Sequence, residues 1–226
     1  MNDLPFRPCP VVLAAPSGTG KTTIARELVA GSPRFVFSVS ATTRAARDGE
    51  RDGVDYRFVG EEAFQAMIRE NRLVEWAEVH GNLYGTPRSE LESAQERGQH
   101  VVLDIDVQGA RQIREAVPEA VLIFIFPPSG VDLLRRLGGR GTENDEEVVR
   151  RLRNAQEEMD RARHFDYIVV NDELDRAVTR IHGVVEAEHR RPSRIMGLED
   201  EIRRLRNEIG EVVSGEAELA PDDANA

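Results

Sequence analysis

The chain has 226 residues, a single cysteine (Cys9) and a formal charge of −11. One cysteine excludes an intramolecular disulfide framework or a cysteine-cluster metal site and fits a reducing compartment. No apolar run approaches the roughly 20 residues of a membrane helix, and the acidic balance disfavours non-specific binding to nucleic acid. Met1 to Pro10 lacks the apolar stretch of a signal peptide, so none is expected. In chain order, Val11 to Ala15 is the first of five short apolar runs that read as strands covered on both faces. The others are Phe35 to Val39, Val101 to Ile105, Ala120 to Phe126 and Tyr167 to Val170. Helical spacing over Thr22 to Ala30, Arg88 to Arg97, Ala110 to Ala116, Val131 to Leu137 and Glu146 to Arg163 separates most of them. That alternation predicts an α/β fold, a doubly wound parallel sheet that binds its ligand beyond the carboxyl ends of the strands. From Ser40 to Pro87 the rhythm breaks into short β-like pieces around Tyr56 to Val59 and Leu73 to Val79, with a helix around Glu61 to Arg69 between them. This stretch reads as a small inserted α+β lobe. Gly138 to Asn144, a Gly-rich loop carrying Arg140 between two helices, reads as a lid.

The composition isolates one residue. Of thirty Lys plus Arg, twenty-nine are Arg, and the only lysine is Lys21. It stands in Ala15-Pro16-Ser17-Gly18-Thr19-Gly20-Lys21-Thr22, between the first strand and the first helix. In a P-loop, glycines let backbone N–H groups wrap a phosphate chain while a compact ammonium, unlike a guanidinium fork, reaches the β- and γ-phosphates. Thr22 would offer its hydroxyl to Mg²⁺, and the helix N-terminus would face the anion. The bland alternative is a Gly-rich turn with a surface lysine, which the strand-before and helix-after context disfavours.

Ser40 to Glu50 holds Arg44, Arg47 and several hydroxyls in a turn-prone segment, suited to wrapping a phosphate monoester or equally to forming a solvated turn. Tyr56, Glu75, Trp76, Tyr84 and Thr86 follow. Tyr56 and Trp76 can be plain core and Glu75 a solvated charge; alternatively the tyrosines suit a phosphate, and the carboxylate and threonine a base edge. The histidines are scattered, with His80 and His164 reading as structural or surface groups. No nucleophile–His–Asp arrangement is present.

Together, Ala15 to Thr22, Phe37 to Arg44, Asp55-Tyr56, Glu75-Trp76, Tyr84-Gly85-Thr86, Leu103 to Gly109, Gly139 to Thr142 and Val170-Asn171-Asp172 resemble the guanylate kinase family in order and spacing, over roughly Pro10 to Arg190. The resemblance implies a cytoplasmic enzyme with a P-loop NTPase-type core that transfers the γ-phosphoryl of ATP to GMP with Mg²⁺, giving ADP and GDP. Neither nucleic acid nor membrane is an implied partner. It divides residues 10–190 into a core (10–39 and 88–190), a GMP-binding lobe (40–87) and a lid (about 136–151), after an N-terminal extension (1–9). By the same resemblance Ala15, Pro16, Ser17, Gly18, Thr19, Gly20, Lys21 and Thr22 bind ATP, with Asn171 near adenine. Ser40, Arg44, Arg47 and Tyr56 would hold the GMP phosphate, with Tyr84 and Gly85 beside them. Glu75 and Thr86 would read guanine, helped by Asp106. Lys21, Arg44, Arg47, Arg136, Arg140 and Arg151 would serve the transfer, and Thr22 would bind Mg²⁺ directly with Asp104 near its waters. Ala15, Ala41, Leu83 and Ala45-Ala46 depart from the common pattern without removing any group with a role. Two alternatives remain: a ribose 1,5-bisphosphate kinase, which shares the fold, and a non-catalytic interaction domain of the same family, which typically lacks a working P-loop.

Beyond Arg191 the resemblance ends. Nine Asp/Glu against four Arg in Pro192 to Ala226 contribute −5 of the net charge. Leu198, Ile202, Leu205, Ile209 and Val212 recur at spacings of four and three, predicting a short amphipathic helix over about 197–213. Its apolar stripe either docks on its own domain or pairs with a second copy, so the chain is a monomer or a homo-oligomer. Ser214 to Ala226, acidic and small-residue, is expected to be disordered.

Overall fold

The protein is described from a computed structural model covering residues 4–79, 81–138 and 145–214. The chain forms two units, residues 8–186 and residues 1–7 with 187–226.

In the larger unit a five-stranded parallel sheet has the order β2-β7-β1-β8-β9, made of β1 (Val11–Ala14), β2 (Phe35–Phe37), β7 (His100–Asp104), β8 (Val121–Phe126) and β9 (Tyr167–Val170). Its strands are short apolar runs because both faces are covered. Val11 and Leu13 belong to one core cluster with Ile24, Leu28 and Ile181, while Val12 and Ala14 belong to another with Leu103, Ile113 and Phe124. The two-residue period of a strand thus divides β1 between two layers. The helices α1 (Lys21–Gly31), α3 (Arg88–Glu96), α4 (Val107–Ala116), α5 (Gly130–Gly138) and α7 (Leu174–His189) follow strands, and α6 (Asp145–Asp160) follows α5. A pair of them, α5 and α6, packs through Leu133, Leu137 and Ala155.

A second, four-stranded sheet interrupts this pattern in the order β4-β3-β6-β5. Its strands are β3 (Ala41–Thr42), β4 (Arg57–Phe58), β5 (Leu73–Val79) and β6 (Asn82–Pro87), with α2 (Glu61–Arg69) in between. Phe64 of α2 is fully buried against Leu73 and Ala41. The strands β3 and β6 have no apolar run of their own; β6 forms by antiparallel pairing with β5 from Val79↔Asn82 to Leu73↔Pro87. Trp76, one of the core candidates, is exposed. Its backbone is held at both ends by Gln112 of α4, through Trp76 N–H to Oε1 at 3.1 Å and Nε2–H to Trp76 O at 2.7 Å.

In the smaller unit Phe6 bridges Ile195 in antiparallel fashion, and its ring stacks on His189 at 3.6 Å. Arg194, itself buried, pairs with buried Glu188 at 3.0 Å. The helix α8 (Leu198–Ser214) opens on Glu199, Asp200 and Glu201, which suit the positive end of its dipole, and it has no buried residue. The predicted acidic tail lies outside the described residues. Among those residues no helix is long and apolar enough to cross a membrane.

Candidate active site

The carboxyl ends of β1 and β7 converge on the loop 15–20. Gly20 caps α1 with φ 90°, a left-handed conformation that leaves no room for a side chain: a Cβ there would lie 2.8 Å from Asn171 Nδ2. Lys21 Nζ lies between the Asp104 carboxylate and the Ile105 carbonyl, which it reaches as a donor. Thr22 Oγ1 donates to the other Asp104 oxygen. One carboxylate at the end of β7 therefore holds both the ammonium and the hydroxyl.

Four further contacts tie this loop to later parts of the chain. Asn171, buried after β9, donates from Nδ2 to Thr19 O at 2.7 Å. Arg136 of α5 donates to Thr19 O at 2.9 Å and to Asn171 O at 3.3 Å. Arg151 of α6 donates to Ser17 Oγ at 2.8 Å. Glu158, two helical turns beyond Arg151, accepts the Ser17 backbone N–H, and burial is the main cause of its raised pKa. Arg140 lies outside the described residues, as does His80.

On the second sheet, Arg44 is gripped by Glu50, which accepts from Nη1 at 3.0 Å and Nη2 at 2.9 Å and also takes the Arg47 backbone N–H at 2.8 Å. These bonds hold the Glu50 carboxyl below its ordinary pKa, the Arg44 side chain first among them, and raise that of Arg44. The Arg44 guanidinium lies 5.3 Å from the Tyr56 ring centroid, and Tyr56 meets Tyr84 edge-on at 6.0 Å. Burial pushes the Tyr56 hydroxyl up. The Arg47 side chain is exposed and Ser40 is half-buried. A cavity of about 410 Å³ joins the two regions, with Thr22 and Asp104 at one side and Ser40 and Tyr56 at the other. Ser38 also lines it, and its buried Oγ has no hydrogen-bond partner among the described residues.

Further along, β5 and β6 place Glu75 directly opposite Thr86, both buried. Thr86 Oγ1 donates to Glu75 Oε1 at 2.6 Å. The other oxygen, Oε2, sits so near Gly109 that a Cβ there would come within 2.6 Å. Desolvation first, then the nearby Asp106 charge, pushes the Glu75 carboxyl up to about 7 against the Thr86 hydroxyl and backbone hydrogen bonds and the Lys21 charge, which work the other way. Asp106 caps α4 by accepting the Gly109 N–H at 2.7 Å. Gly85 pairs with both Ala41 and Trp76, so it ties β6 to its neighbours on each side.

The site residues read from the sequence thus gather in three groups, around Lys21, around Arg44 and around Glu75. The contacts of Glu50, Glu158 and Ser38 carry no signal in the sequence. The partners of Glu50 are set by its turn, and Glu158 and Ser38 matter only through tertiary proximity. Among the described residues no cluster of three His, Cys, Asp or Glu side chains stands ready for a metal ion. A site of the present kind, one hydroxyl and one carboxylate beside a phosphate loop, would complete its shell from phosphate and water.

The sequence profile described as guanylate kinase matches residues 7–188. The chain belongs to the guanylate kinase family. It is 48% identical to the guanylate kinase of Syntrophotalea carbinolica, over 81% of this chain and 88% of that protein. It is 52% identical to that of Nitratidesulfovibrio vulgaris, over 74% and 81%. Among solved structures, guanylate kinase from Anaplasma phagocytophilum superimposes with a TM-score of 0.72 at 36% identity, covering 87% of this chain and 94% of that one. The parallel sheet, phosphate loop and inserted sheet are those of a guanylate kinase family member.

Proposed function

We propose that the protein transfers the γ-phosphoryl of ATP to GMP, giving ADP and GDP. The observation that carries this reading is the pairing of a lysine-bearing phosphate loop with a buried carboxylate, Glu75, at the base end of the same unit. A kinase of a substrate without a base has no use for the second, and an interaction domain has no use for the first.

In this reading residues 40–87 form the acceptor lobe and about 136–151 the lid, on a core of 10–39 and 88–190. The GMP phosphate is held by Ser40, Arg44, Arg47 and Tyr56, beside Tyr84, with Arg44 already turned toward it by Glu50. Ionised Glu75 accepts from guanine N1–H and the 2-amino group, and the Thr86 oxygen lies beside them; adenine would present an acceptor to that carboxylate. A GMP phosphate oxygen, already anionic, attacks the γ-phosphorus. The new O–P bond forms as the bond to the β–γ bridging oxygen breaks, and that electron pair stays on ADP. Such a transfer calls for positioning and positive charge more than covalent help. Lys21 is placed to follow the β- and γ-phosphates, and Arg136 and Arg151 can exchange their bonds to Thr19 O and Ser17 Oγ for phosphate oxygens. Thr22 and Asp104 are hard oxygen donors within hydrogen-bond reach of each other, and they fit a Mg²⁺ ion, which when bound would neutralise phosphate charge. Asn171 supports the loop where adenine would lie. With its lone cysteine buried, the chain suits the cytoplasm.

A coupled ADP-release assay with GMP, AMP, ribose 1,5-bisphosphate or no acceptor tests the reading. GMP should exceed AMP by about 10⁴-fold in kcat/KM, because a site built to bind a donor rejects an analogue that lacks it. Comparable rates with AMP, or turnover of the ribose bisphosphate alone, would overturn it.

A further inference from the structure

Among the described residues of its own unit, the apolar stripe of α8 is uncovered beyond half-buried Leu198. Every residue from Ile202 to Ser214 is exposed, including Ile202, Leu205, Ile209, Val212 and Val213. A single helix of this length is marginal in water unless one face is buried. The residue types say what would bury it. Spacings of four and three put Leu198, Leu205 and Val212 at the d positions of a heptad pattern and Ile202 and Ile209 at the a positions. Branching at Cβ in both a residues, with leucine at the first two d positions, is the combination that favours two parallel strands over three or four.

The charges select the same arrangement. In a parallel pair each g residue faces the e residue of the following heptad on the other helix, so Glu201 faces Arg206 of the second copy, twice by symmetry. In an antiparallel pair g faces g, and both g residues are glutamates, Glu201 and Glu208. The arginines of α8 are not equally available. Arg203 is paired with Asp200 at 3.1 Å, and Arg204 with Glu201 and Glu208. Arg206 makes no ion pair with any described residue, which leaves its charge free for another helix.

We propose that α8 is a homodimerisation element, pairing in parallel and in register with α8 of a second copy of this chain. The helix is about 26 Å long at 1.5 Å per residue, short for a coiled coil, so the dimer should be weak and concentration-dependent.

Light scattering or sedimentation equilibrium on the full chain from about 1 µM to about 500 µM should show the mass rise toward twice that of the chain. Arg206→Glu turns both Glu–Arg contacts into Glu–Glu contacts and should move the midpoint to roughly 10-fold higher concentration. The double exchange Glu201→Arg with Arg206→Glu should bring it back. Val212→Cys should form an intersubunit disulfide under mild oxidation with copper phenanthroline, since d faces d in a parallel pair; Cys9 is 1% exposed and does not compete. Far-UV circular dichroism on each variant establishes that α8 has remained helical. A single-chain mass at all concentrations would overturn the proposal. So would a dimer that is indifferent to Arg206→Glu and yields no Val212→Cys cross-link.

Discussion

The phosphate loop and the base end of this unit manage charge in opposite ways. Around Lys21, each cation already has an oxygen: Asp104 and Ile105 O for Lys21, Thr19 O for Arg136, Ser17 Oγ for Arg151. All of these are partners that a phosphate oxygen can replace, so the loop itself leaves no charge stranded. At the base end the Glu75 carboxylate is buried with Thr86 as its hydrogen-bond partner, and desolvation, which those bonds do not offset, raises its pKa to about 7. One region stores its charge in exchangeable pairs; the other keeps an unmet acceptor that a two-donor ligand would satisfy. Affinity at the first is therefore a matter of exchange, and selectivity at the second a matter of relieving a cost.

Lys21→Arg tests the first half of that contrast and should have the largest effect. It keeps the charge but puts a wide planar fork where a point charge meets Asp104 and Ile105 O. The predicted loss in kcat is at least about 10²-fold, the scale of removing one electrostatic stabiliser from a transition state. Melting temperature and KM for GMP should stay near those of the parent protein. A folded variant turning over at the parent rate would remove Lys21 from the transfer.

Glu75→Gln tests the second half. The amide offers one acceptor and two donors in place of two acceptors, so KM for GMP should rise about 10- to 100-fold, the worth of one or two lost charged hydrogen bonds. Stability should move the other way at alkaline pH. A folded-state pKa near 7 against an ordinary 4.5 means the native protein holds the proton more tightly than the unfolded chain. The fold therefore loses stability as pH rises from about 4.5 through 7, on the order of 3 kcal/mol once Glu75 is fully ionised. At pH 8 the glutamine variant should melt several degrees higher, and near pH 5 that advantage should vanish. A glutamine variant no more stable at pH 8 than at pH 5, relative to the parent, would mean that Glu75 carries no such cost.

What could be read in advance divides along the same line. The runs Val11–Ala14 and Val121–Phe126 announce buried parallel strands because every residue in them meets a core. The phosphate loop is legible because its chemistry is local, eight consecutive residues between a strand and a helix. Strand β6, with the sequence Asn-Leu-Tyr-Gly-Thr-Pro, carries no such mark; pairing with β5 and β3 makes it a strand. Glu75 and Thr86 stand eleven residues apart, and their contact exists because that hairpin sets them opposite one another. Helix α7 had a readable stripe in Leu174, Val178, Ile181 and Val185 that went unread. Helix α4 begins at Val107, earlier than its apolar spacing indicated, because the Asp106 cap starts it. Distant partners such as Asn171 with Thr19, or Glu158 with Ser17, have no sequence signal at all.

The pH dependence of GMP binding sharpens the contrast further. Only ionised Glu75 can accept both guanine donors, so binding below pH 7 must release a proton. KM for GMP should fall about tenfold between pH 6 and pH 7.5, by the linkage between a bound proton and a competing ligand. The GMP phosphate titrates near pH 6 and will add its own curvature at the acid end. Glu75→Gln separates the two, since it should flatten the profile above about pH 6.5 and leave the lower limb. Proton release measured by calorimetry in buffers of different ionisation enthalpy checks the same point. No release at pH 6.5 would mean that Glu75 is already ionised in the free protein.

The smallest expected effect belongs to Glu50, where two physical terms oppose each other. Its carboxylate holds Arg44 by two bonds and the Arg47 N–H by a third, which fixes the turn proposed to face the GMP phosphate. The same negative charge lies close to where the phosphate would come and repels it. The group is exposed enough for solvent to screen the repulsion, whereas loss of the bonds frees the Arg44 side chain to explore other rotamers and loosens the turn at the Arg47 N–H. Preorganisation should therefore win by a small margin. Glu50→Ala should raise KM for GMP about three- to tenfold, with kcat nearly unchanged. Glu50→Gln, which keeps an acceptor for the Arg47 N–H, should recover part of the loss. If Glu50→Ala instead lowered KM, the carboxylate would be a competitor for the phosphate rather than its usher. The acceptor site would then work by exchange in the same way as the loop around Lys21.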